Sequence, residues 1–77
     1  MKPAASKSLR VATEVAGTVW KIVAQKGAAL VSGETILIME SMKMEIPIET
    51  PRAGTLVELL VAEGDVLKED DPVAVIE

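Results

Sequence analysis

The second half of this chain repeats the first, and that repeat limits its folds more than any other feature. Shifted by 37 positions, "AGTVWKIVAQKGAALVSGETILIME" (16–40) lies without a gap over "AGTLVELLVAEGDVLKEDDPVAVIE" (53–77). Ala16-Gly17-Thr18 falls on Ala53-Gly54-Thr55, Gly27 on Gly64, Leu30 on Leu67 and Glu40 on Glu77. Val19, Ile22, Val23, Ala24, Ile36, Leu37, Ile38 and Met39 all meet apolar residues. Upstream, Val11 meets Ile48 and Thr13 meets Thr50. A solenoid needs about three or more copies. Two copies instead predict a pseudo-two-fold structure, each half burying its apolar face on the other.

Gly and Pro recur too often to leave room for an amphipathic helix, and the runs between them are rich in Val, Ile, Leu and Thr. That pattern predicts an all-β domain with about four short strands per copy, packed as two antiparallel sheets. The inward set Val19, Ile22, Ala24, with its mates Leu56, Leu59, Val61, breaks the strict alternation of a strand. A bulge or a change of sheet explains the three-residue step. Gly17 and Gly54 are read as opening the longest strands, where glycine permits a bend or bulge. Gly27 and Gly64 fit turns with positive φ. Trp20 stands off the inward set and is expected to face the surface with its body partly covered. Residues 1–8, "MKPAASKS", read as a flexible tail, with the folded domain over 9–77. Glu69-Asp70-Asp71 reads as a solvated turn before Pro72, since consecutive carboxylates do not easily converge on one ion.

Composition excludes several function classes. The 77 residues include no His and no Cys, with 12 acidic against 8 basic side chains. Histidine- or cysteine-ligated metals are ruled out, as are Ser-His and Cys-His nucleophile pairs. The net charge of -4 and a lone aromatic, Trp20, argue against nucleic acid and give no support to an anionic membrane surface. No apolar run approaches the roughly 20 residues of a spanning helix, and the first ten residues lack a signal-peptide core. A cytoplasmic protein is expected.

One motif has no counterpart in the repeat. "ESMKMEIP" (40–47) follows the strand signal "TILIM", and its own "EIPI" starts another. About two residues remain for a turn, so Met42-Lys43 should cap a tight hairpin. The Gly or Asn usual in such turns is missing, and Met and Lys are poor choices for positive φ. A local choice that opposes the fold points to function. A tip lysine is ordinarily a solvated charge, and Met42 and Met44 could be core residues. The alternative is an attachment point: an alkyl amine is protonated at neutral pH and needs an enzyme and an activated acyl donor to form an amide.

"ESMKM" between "ILI" and "EIPI", centred in a repeated all-β domain, resembles the biotinyl domain of biotin-dependent carboxylases, over residues 9–77. The family motif is usually Ala-Met-Lys-Met preceded by Glu; here Ser41 stands for the Ala. The resemblance implies a flattened β-barrel of two four-stranded antiparallel sheets with pseudo-two-fold symmetry. The gapless repeat leaves no room for the inserted thumb of some members. By position, Lys43 matches the lysine that is biotinylated. Met42 and Met44 match the methionines that position it and meet partner enzymes. Glu40 matches an acidic residue associated with recognition by biotin protein ligase, although an outward strand-end carboxylate needs no special role.

The implied cofactor is biotin, joined covalently to Lys43. The implied partners are biotin protein ligase, biotin carboxylase and a carboxyltransferase, for example those of acetyl-CoA carboxylase. Ligation would take the net charge from -4 to -5 by removing one positive charge. The arm would then shuttle a carboxyl group between two enzymes. Tethering gives the carrier an effective concentration of order mM at each site. On this reading the chain is a carrier and not an enzyme, and a monomeric domain in isolation. Lipoyl domains share the fold but place Asp before the lysine, where this chain has Met42. An unmodified structural adaptor of the same fold would need no Met-Lys-Met.

Overall fold

A computed structural model describes residues 8–77. The tail expected over 1–8 lies outside them except for Ser8. Eight strands follow in order: β1 (Leu9–Ala12), β2 (Gly17–Ile22), β3 (Ala29–Leu30), β4 (Thr35–Ser41), β5 (Met44–Glu49), β6 (Gly54–Leu59), β7 (Val66–Leu67) and β8 (Pro72–Ile76). They form two four-stranded antiparallel sheets, ordered β1-β8-β6-β3 and β5-β4-β2-β7. Exchanging β1 with β5, β2 with β6, β3 with β7 and β4 with β8 turns one order into the other. The expected pseudo-two-fold is therefore a property of the topology, not only of the residues. The sheets form a flattened barrel that is not closed by a continuous ladder.

The register repeats as well. In one sheet Met39 faces Ile46 and Ile38 faces Pro47; in the other Ile76 faces Leu9 and Val75 faces Arg10. Every one of these residues is shifted from its mate by the repeat length. The backbone bonds outside the strands follow suit. Gly27 N–H donates to the Leu56 carbonyl at 2.6 Å, and Gly64 N–H to the Val19 carbonyl at 2.8 Å. Both glycines have the expected positive φ, 93° and 94°.

Between the sheets lies one core containing Val19, Leu30, Ile36, Leu37, Met39, Leu56, Leu67, Val73 and Ile76. Ile22, Leu59 and Val61 pack against it half-buried. Fully burying one such aliphatic side chain contributes roughly 1.5–3 kcal/mol. Thr13 and Thr50 are also fully buried. Each bridges its own corner. Thr13 Oγ1 donates to the Val15 carbonyl at 2.8 Å, and Thr50 Oγ1 to the Arg52 carbonyl at 2.6 Å. A buried hydroxyl without such a partner would cost a few kcal/mol, in the range of about 1–3.

Two expectations about glycine need correction. The longest strand is β4, and it contains no glycine. The bulges also lie away from Gly17 and Gly54: the register slips between Val19 and Lys21 and between Leu56 and Glu58, leaving Trp20 and Val57 as the extra residues. The glycines serve close approach instead. A Cβ on Gly17 would run into the Glu40 carbonyl, and one on Gly54 would meet the Ile76 side chain at 2.6 Å. The bulge pushes Trp20 outward to 48% exposure, as its offset suggested.

Candidate functional site

The β4–β5 hairpin is as tight as the sequence implied. Ser41 pairs with Met44, leaving only Met42 and Lys43 between the strands. Both take positive φ, 53° and 67°. This is the backbone sign that a two-residue type I′ turn requires, and it matches the twist of the flanking strands. Neither residue is suited to it: a left-handed conformation costs a residue with a Cβ roughly 1–2 kcal/mol. The paired strands on either side hold the turn against that cost.

The turn fixes where its side chains go. Lys43 is exposed, and no hydrogen bond or ion pair among the described residues engages its ammonium. Met42 is 91% exposed and Met44 62%, so neither belongs to the core. Lys43 is thus a free amine at the extremity of a rigid ribbon, between two soft apolar side chains that can adapt to more than one partner surface.

Glu40 is exposed one pair back from the turn and lies directly across from Glu45, which the sequence reading did not single out. Cross-strand carboxylates repel. The repeat carried a signal for Glu45, because its mate is Ser8 and its cross-strand neighbour's mate is Glu77. In the structure Ser8 Oγ donates to Glu77 Oε2 at 2.8 Å. One end of the barrel thus holds a donor–acceptor pair where the Lys43 end holds two acceptors.

The corner between β1 and β2 also reaches this end, because Gly17 sits against Glu40 and Ser41. Beside it a groove of about 190 Å³ is lined by Ala12, Glu14, Val15 and residues 46–49. No group of His, Cys, Asp or Glu among the described residues is placed to hold a metal. Among the described residues no helix is long and apolar enough to cross a membrane. The acidic run at 69–71 is a turn in which Asp71 Oδ2 accepts the Lys68 N–H at 2.8 Å.

The sequence model of the family described as "Biotin-requiring enzyme", covering biotin and lipoyl attachment domains, matches residues 10–76. The biotin/lipoyl attachment protein of Bacillus subtilis is 40% identical over 63 residues, which is 82% of this chain and 86% of that protein. The biotinylated protein TB7.3 homolog of Mycobacterium leprae is 36% identical over 66 residues, 86% of this chain and 93% of that one. Among solved structures, the urea carboxylase of Kluyveromyces lactis superposes with a TM-score of 0.88 at 31% identity over 91% of this chain. The chain spans 6% of that enzyme.

Proposed function

From its membership of the biotin/lipoyl attachment family, as a biotin-requiring domain homologous to the carrier domains of carboxylases, we propose that this chain carries biotin on Lys43. The observation that carries the assignment is the turn: an exposed, unengaged lysine amine between two exposed methionines, on a backbone of unfavourable φ. The residues fit the group, because amide formation needs an accessible primary amine and nothing else from this chain.

When bound, biotin supplies a ureido nitrogen that accepts and releases a carboxyl group. The chain's own part is mechanical and electrostatic. The paired strands β4 and β5 hold Lys43 at a fixed place. When biotin protein ligase acylates it, Lys43 Nζ would lose two protons and take the acyl group of biotinyl-adenylate as AMP leaves, so the tip becomes an amide without positive charge. Met42 and Met44 offer the apolar surface that ligase, biotin carboxylase and carboxyltransferase would each meet. Glu40 gives the ligase an acidic mark beside the target. Catalysis rests with these partners, in a carboxylase such as acetyl-CoA carboxylase, and the domain itself is a monomeric carrier. A cytoplasmic setting belongs to the same proposal, supported by the need of ligation for ATP.

Intact-protein mass after incubation with biotin protein ligase, ATP and biotin tests it. A gain of one biotinyl group, absent in Lys43→Arg, is expected. A folded domain that gains nothing, that gains it equally as Lys43→Arg, or that accepts only lipoate from lipoate ligase overturns it.

A further inference from the structure

The pseudo-two-fold supplies an internal control for the groove. Val15 lines it, and the mate of Val15 is Arg52. At the Arg52 corner, which Gly54 sets against Ile76 and Glu77, a long half-buried side chain reaches the Ile76 carbonyl, with Nη2 at 3.4 Å. Ile76 pairs with Leu9 there, as Met39 pairs with Ile46 at the other end. At the Lys43 end Val15 stops at two methyl groups, and the space beyond them stays open. An arginine thus reaches across one corner where the other has only a valine and a groove, and the corner with the groove is the one beside the attachment turn.

Resting on the biotin reading above, we propose that this groove is a docking place for the biotinyl ring tethered to Lys43, where the arm folds back on its own domain between encounters. Its size selects the occupant. About 190 Å³ is below the roughly 300–1,000 Å³ of a site for a drug-sized ligand and suits a compact bicycle. Val15, Ile46 and Ile48 give the apolar wall. Glu14 and Glu49 supply carboxylate acceptors at its rim for the two ureido N–H donors, a charge-assisted pairing. Ile46 lies three residues from Lys43, about 10 Å along a strand. The lysine stem plus a valeryl chain covers that span. A partner strand is a poor occupant, because Pro47 removes a backbone donor from the middle of the β5 edge.

Methyl and amide NMR of the full chain, before and after ligation, tests the docking. Biotinylation is expected to give ring-to-methyl NOEs at Val15 and Ile46 and to shift their resonances, while Leu9 and Val11, the mates of Ile46 and Ile48, stay fixed. Val15→Arg, which copies the Arg52 corner, should abolish the NOEs and confine the shifts to residues 41–45; Glu49→Gln should weaken both. Full modification by mass with no NOE to the groove in the unmutated chain overturns the docking alone. A chain that takes no biotin overturns the docking and the carrier reading together. The NOE in the unmutated chain decides the matter even if Val15→Arg fails to fold.

Discussion

At the end of the barrel carrying Lys43, β4 runs into β5 through Met42 and Lys43, Glu40 faces Glu45, and Val15 leaves a groove. At the other end the same positions hold Glu77 bonded to Ser8, and Arg52 reaching the Ile76 carbonyl. Strands, register, buried threonines and turn glycines are shared between the two. What differs is strain, charge repulsion and a groove, and all three fall on one end. A symmetric scaffold supplies the rigidity; departures from symmetry mark where the molecule works.

The largest break in the comparison comes from the two close approaches. Gly17→Ala would push a Cβ into the backbone of β4 at Glu40, the strand that supports the attachment turn. Gly54→Ala would press mainly on the Ile76 side chain and the Glu77 carbonyl. Overpacking typically costs about 1–3 kcal/mol. We expect Gly17→Ala near the upper end of that range and Gly54→Ala near the lower, by urea unfolding. Gly17→Ala should also slow biotinylation, because the shift is passed to the hairpin, whereas Gly54→Ala should not. Equal losses, with equal ligation rates, would show that the two ends are mechanically independent of the turn.

The same pair of glycines shows how much of the molecule was legible beforehand. The repeat lies in residue identity, so about four strands per copy and the pseudo-two-fold follow from an alignment of the chain with itself, whereas the strand order within each sheet does not. The three-residue step from Val19 to Ile22 correctly announced a bulge. The bulge falls inside that step, at Trp20; what was misread was Gly17, taken as a bend or bulge position but required by a tertiary contact with Glu40, which no local pattern displays. At the site, Lys43 and its methionines were legible as residues without a mate. So was the unfavourable turn: two residues between strong strand signals, neither of them Gly or Asn, implied positive φ at side chains that resist it. The groove could have been suspected from Val15 meeting Arg52, where a short apolar side chain stands in the place of a long charged one.

The turn offers a sharper and smaller test. Met42 and Lys43 hold the left-handed conformation with side chains that disfavour it, as does Asp70, whose mate is Gly33. Glycine removes the steric penalty but costs unfolded-state entropy, so the net gain at Met42→Gly should be about 0.5–1 kcal/mol. Asp tolerates this region better, and Asp70→Gly should gain less. Thermal unfolding ranks the two. A stabilised Met42→Gly that ligates more slowly than the unmutated chain would show that the methionine side chain is retained for partners and at the expense of stability. A stabilised variant that ligates normally would leave Met42 without a role in ligation.

The smallest expected effect lies one pair behind the turn. Glu45→Ser copies Ser8 into the Lys43 end and gives Glu40 a hydroxyl donor in place of a like charge. The gain in stability should fall within the roughly 0.2–1 kcal/mol typical of cross-strand pairs. It should shrink as salt is raised, because both carboxylates are exposed. The mirror change, Ser8→Glu, should cost a similar amount by setting a second carboxylate against Glu77 and removing its hydrogen bond. If Glu45→Ser gains nothing at low salt while Ser8→Glu is destabilising, Glu40 and Glu45 already turn away from each other, and the repulsion at the working end is not real. If both shifts appear and Glu45→Ser also lowers the rate of ligation at low salt but not at high salt, the paired charge is an electrostatic mark for the ligase, kept at a cost in stability that the other end of the barrel does not bear.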